Sequence, residues 1–102
     1  MSLTMIVKIH KRENRTVVAV CDSDLIGRKF EEGERQLDLS GDFYKGEERT
    51  DKEAGDLIRN ADIVNLVGPN AVRLGLQEEV ITQDHIITIA GIPHAQAVIT
   101  HE

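Results

Sequence analysis

Leu3, Met5, Val7 and Ile9 alternate with Thr4, Ile6, Lys8 and His10. A period of two predicts a strand with one face in the core. Residues 16–20 (TVVAV) are nearly all apolar and β-branched, which predicts a more central strand. KRENR (11–15) between them is of hairpin length, so the two strands are expected to pair antiparallel. Leu37 and Leu39, alternating with Gln36, Asp38 and Ser40, predict a third strand with one wet face. Before it, Leu25, Ile26 and Phe30 give a short segment an apolar side. Asp22, Ser23 and Asp24 are candidate caps for that segment, and Gly27 and Gly33 bracket a turn.

The second half reads as helix, strand, helix, strand. Thr50 and Glu53 match a capping box, in which each side chain bonds the other's backbone N–H. Ala54, Leu57, Ile58 and Ala61 then form one apolar stripe, predicting a helix over 50–61. Ile63 to Val67 is an apolar strand with Asn65 at its centre, and a buried Asn needs hydrogen bonds. Gly68-Pro69 opens a second helix, because Pro at the first helical position wastes no donor. Gly75 weakens that helix and is expected to mark close packing on the sheet. Ile86, Ile87 and Ile89 predict a strand buried on both faces. A rigid Gly91-Ile92-Pro93-His94 corner is expected to follow, placing His94 and Gln96 near a strand end. Residues 97–99 are read as a last, short edge strand. The expected fold is α/β (α+β): a two-layer sandwich, residues 1–102 as a single domain, with a mixed sheet of five or six strands and two main helices.

Composition narrows the chemistry. Aromatic residues are 3%, namely Phe30, Phe43 and Tyr44, so the core is expected to be aliphatic. The count also leaves no stacking platform of the kind RNA-recognition sheets use for bases. Phe43 is expected in the core and Tyr44 across the surface. One cysteine, Cys21, excludes an intramolecular disulfide and a cysteine-rich zinc site, and fits a reducing cytoplasm. No apolar run approaches the roughly 20 residues of a membrane span, and no signal-peptide pattern opens the chain. Met5 is a candidate natural start, with residues 1–3 as a cloning remnant.

The net charge of −6 is uneven. Residues 1–30 sum to +3, residues 31–56 to −6 and residues 57–102 to −3. The total argues against broad phosphate binding, while the basic first segment leaves room for a local anion contact. Lys8, His10, Lys11, Arg12 and Arg15 are therefore candidate binding residues, with Lys8 and His10 on the outward face of the first strand. Asn65 and Gln96 join them as polar residues in apolar strands. No cofactor is expected: G-P-N lacks the glycine spacing and the Lys-Ser/Thr pair of a phosphate loop. His10, His85, His94 and His101 show no ligand spacing with one another or with Cys21, so no metal site is expected.

VKIH (7–10), VVAVCDSDLIGRKF (17–30), FYKGE (43–47), IVNLVG (63–68) and IAGIPHAQ (89–96) resemble the archaeal family labelled domain of unknown function 424. The resemblance covers most of the chain in order. It implies a small cytoplasmic α/β protein and carries over no catalytic residue. Two departures stand out. Asp24 replaces an expected Glu, and Glu79 stands where a Gly would end the second helix.

Two functions remain. One is a small cytoplasmic binding module for RNA or a ribonucleoprotein in translation, resting on the basic hairpin and the absence of a complete catalytic motif. The other is an enzyme in which Cys21 is the nucleophile, His94 the base and Asp22 its orienter. An edge strand also offers a route to a homo-oligomer.

Overall fold

The computed structural model describes residues 4–99. Its strands are β1 (Thr4–Arg12), β2 (Arg15–Asp22), β3 (Lys29–Glu32), β4 (Arg35–Asp38), β5 (Glu47–Thr50), β6 (Ile63–Val67), β7 (Ile86–Ile89) and β8 (Ile92–Val98). Its helices are α1 (Asp51–Arg59) and α2 (Pro69–Gln77). Leu3, His101 and the proposed remnant at 1–3 lie outside the described residues. Six strands form one mixed sheet in the order β5-β1-β2-β6-β8-β7, and β3 and β4 form a small second sheet. Only β2 and β6 run parallel, joining two antiparallel halves along a central seam.

The β1–β2 hairpin forms as expected. Its loop is just Glu13-Asn14, both at positive φ (47° and 70°). That conformation matches the twist of paired strands. The strands therefore run on through Lys11, Arg12 and Arg15.

Both helices pack on one face of the sheet. Met5, Val7, Val18, Val20, Val64, Leu66, Ala95 and Ala97 meet Ala54, Ile58, Ala61, Ala71, Val72 and Leu74 there. The Thr50–Glu53 capping box forms. Gly75 packs where a Cβ would overlap Leu66, confirming the close approach read from the sequence. After α2, Glu79 takes φ 60°, the left-handed position that a glycine favours. The Val80 N–H bonds the Gly75 carbonyl and the Glu79 N–H bonds the Leu76 carbonyl, each at 3.1 Å. Those two bonds close the helix end in a Schellman motif.

The expected two-layer sandwich and mixed sheet are present, with an addition on the second face. Residues 23–44 leave β2, cross that face and return, laying Leu25, Leu37, Leu39 and Tyr44 on Ala19, Cys21, Val67 and Ile89. β3 and β5 were not foreseen, and Leu37 belongs to the small sheet. Phe43 and Tyr44 exchange their expected places: Tyr44 is buried and Phe43 is 43% exposed.

The Ile86–Ile89 strand is not central. As β7 it pairs only with β8, so it is an edge, and Ile87 is 45% exposed. The turn after it is Ala90-Gly91, both at positive φ, and the chain doubles straight back. His94 therefore sits within β8, paired with Val67 on one side and Ile87 on the other. Residues 97–98 are not a separate strand but the end of β8, paired with β6 and running past the end of β7, so their other side is an edge. Among the described residues no helix is long and apolar enough to cross a membrane.

Candidate functional site

The alternation of side chains across the sheet places most of the candidate residues on the face away from the helices. Lys8, Ala19, Asn65 and Gln96 are register partners across β1, β2, β6 and β8. That row spans about 14 Å at the usual strand spacing of ~4.8 Å. Beside it runs a second row, His10, Val17, Ile63 and Val98. Arg12 and Arg15 extend the same face at the hairpin tip, while the pleat turns Lys11 to the other side.

The 23–44 excursion covers only part of this face. The row of Cys21 and Val67 lies beneath it. The hairpin end stays open: Val98 is 70% exposed, and Val17 and Ile63 are half-buried. Asn65 is 9% exposed, and among the described residues its amide makes no hydrogen bond, so the satisfied core Asn expected from the sequence is not what forms.

Phe43, at the turn of the excursion, borders the open strip. The His10 ring stacks on it, with centroids 4.6 Å apart and planes 15° apart. His10 Nε2 also lies 2.9 Å from the Phe43 carbonyl oxygen, which accepts the bond. A groove of about 480 Å³ opens beside this stack, lined by Lys8, His10, Arg12, Val17, Asp42 and Phe43. Lys8, Lys11, Arg12 and Arg15 make no ion pair among the described residues, whereas Lys29, Lys45, Arg49 and Arg59 do. In this aromatic-poor chain one ring, Phe43, is thus exposed and backed by the His10 imidazole. The signal for it in the sequence is an aromatic pair in a Gly41–Gly46 loop of an aromatic-poor chain.

The three candidate catalytic residues are not brought together. Cys21 and Asp22 are adjacent in β2 and point to opposite faces. Cys21 is fully buried, its thiol 3.4 Å from the Asp22 carbonyl oxygen. Burial, then the charges of Asp22 and Asp24, push the thiol up to about 12, so it stays protonated at neutral pH.

Asp22 is 2% exposed and caps α2, not the segment that follows it. Its carboxylate accepts from the N–H groups of Asn70 (3.1 Å) and Ala71 (2.8 Å). Gly68, the residue that begins α2, has no side chain for this task, and its φ of 106° suits glycine. A Cβ on Gly68 would overlap the Asp22 carboxyl. Asp22 therefore fills the anion position at the end of the parallel β2–β6 pair, where α/β sheets commonly take a ligand. Burial raises its pKa, opposed by the two backbone N–H bonds.

His94 shares a sheet row with Cys21, but Val67 lies between them. Both His94 ring nitrogens are shut from solvent with no hydrogen-bond partner, so neither Cys21 nor Asp22 touches them. His85 is tied locally, its Nδ1 accepting from the Thr82 N–H at 2.9 Å. No group of three or more His, Cys, Asp or Glu among the described residues is placed to hold a metal ion.

Burial lowers the His94 pKa from its ordinary 6.5. The unfolded chain then binds the proton more readily, so this group's stabilising effect is complete above about pH 6.5 and declines as pH falls below it. The urea midpoint is expected to drop between about pH 7.5 and about pH 5.5, and the His94→Leu variant to lose most of that drop. An equal drop in the variant would assign the effect to other groups.

A family model described as Protein of unknown function (DUF424) matches residues 9–99. The chain belongs to this family. The DUF424 match begins within β1 and runs through the hairpin turn, the excursion, the seam and β8, so it takes in the open face apart from Lys8. The crystal structure of an uncharacterized conserved protein from Methanopyrus kandleri is similar at 27% identity and a TM-score of 0.83. The alignment covers 97% of this chain and 95% of that one, so the excursion and the sheet belong to a shared scaffold. Comparison with curated proteins gives no match.

Proposed function

We propose that this protein is a small cytoplasmic RNA-binding module that serves a ribonucleoprotein of the translation machinery. One observation carries the reading: Lys8, Arg12 and Arg15, without an ion pair among the described residues, share an open sheet face with His10, Asn65 and Gln96, bordered by Phe43. Phosphates provide the long-range attraction and the polar row provides groups for bases or sugars. The acidic remainder of the chain keeps that attraction local. The reduced, buried Cys21 accords with a cytoplasmic setting.

The test is co-sedimentation with ribosomal particles from the source cells over a salt series. Association should weaken as salt rises and fall sharply in Arg12→Glu/Arg15→Glu. Lys11→Glu, on the opposite face, should matter less. Absence of association at low salt would overturn the reading.

A further inference from the structure

Resting on that reading, we propose that the groove beside Phe43 is a subsite for one unpaired nucleotide of single-stranded RNA, its base stacked on the His10–Phe43 pair and its flanking phosphates on Lys8 and Arg12. Phe43 is 43% exposed although the protein has few aromatic rings and buries Tyr44 next to it. The exposed ring is not loose. His10 lies parallel to it, Tyr44 stands across it at 78°, and the carbonyl of Phe43 itself takes the bond from His10. A rigid, solvent-facing aromatic surface with a second ring beneath it suits a flat π-system.

The groove's charge is graded. Asp42 is its only acidic lining residue among the described residues; it lies next to Phe43 and 3.8 Å from Lys45. Lys8 and Arg12 line the side formed by β1. A phosphate is drawn to the cationic β1 side and not to the Asp42–Lys45 pair, which leaves the base at the ring. The volume, about 480 Å³, lies within the usual range for small-molecule sites. A base in a duplex is stacked on its neighbours and cannot enter, so the subsite selects unpaired RNA.

Fluorescence anisotropy with a labelled mixed-sequence single-stranded RNA of about ten nucleotides tests this, beside the same strand in a full duplex. The single strand should bind at least about tenfold more tightly than the duplex. Phe43→Ala should weaken single-strand binding about tenfold with the salt slope unchanged, because the ring carries no charge. Phe43→Trp should retain or improve it. Equal affinity for both forms, or an unchanged Phe43→Ala, would overturn the stacking subsite. Loss of binding in Arg12→Glu/Arg15→Glu would in that case leave the charge-driven RNA reading standing. No binding of either form by the unaltered protein would overturn both.

Discussion

Asp22→Ala should lower the unfolding free energy by about 2–4 kcal/mol, although Asp22 looks from the sequence like a loop cap or the orienter of a catalytic histidine. A buried N–H (Ala71) and a part-buried one (Asn70) at the start of α2 lose their acceptor together, and Gly68 has no side chain to replace it. Losing a cap costs about 0.5–2 kcal/mol, and stranding a buried donor costs about 1–3 kcal/mol. Asp22→Asn keeps one acceptor and removes the expense of burying a charge, so its loss should stay near 1 kcal/mol. Urea denaturation of both variants checks this. A loss under about 0.5 kcal/mol for alanine, the range of ordinary surface changes, would mean that water caps the helix adequately.

Gly46→Ala is the second large effect. A Cβ there would overlap the carbonyl oxygen of Val7 and crowd the Cα of Lys8, both backbone atoms of β1. No rotamer change relieves a clash with backbone, so β5 must move off β1 where Glu47 pairs with Val7. The expected cost is ~3 kcal/mol, at the upper end for overpacking. Gly46 also tethers the end of the excursion, and Phe43 is placed over His10 only three residues earlier. Urea unfolding should show the loss. The His10 ring signals, shifted by the stacked Phe43, should move back toward their free values in an NMR spectrum. An unchanged midpoint would show that β5 yields freely.

Much of this fold was legible because its strongest signals are local. Period-two alternation placed β1, a capping box and an apolar stripe placed α1, and Gly-Pro placed the start of α2. Other features depend on partners distant in sequence. β3 (KFEE) and β5 (EERT) are short, charged strands whose composition resembles loop. The isoleucines of β7 announce a strand, but edge position depends on which strands it lacks.

The Gly91–His94 stretch misled for a local reason. Gly91-Ile92-Pro93-His94 reads as a corner, whereas the turn is Ala90-Gly91 alone. Pro93 fits within β8 because it lies one position beyond the β6 pairing, which ends at His94. The basic candidates were readable individually. Their gathering on one face follows from register, as does the removal of Lys11 from it. Asp22 was the hardest to foresee, because its partners lie 48 and 49 residues away.

The parallel seam also shapes what happens during synthesis. The first antiparallel half can close on itself once β5 has left the ribosome, because β1 pairs with both β2 and β5. The far edge of β2, Val17 to Cys21, has no partner until residues 63–67 emerge. At roughly 5–20 residues per second, that apolar edge stands open for several seconds in each round of translation. The nascent chain is then a partial sheet with one open edge, and in a crowded polysome the nearest strand able to pair with it is the same edge on the neighbouring chain.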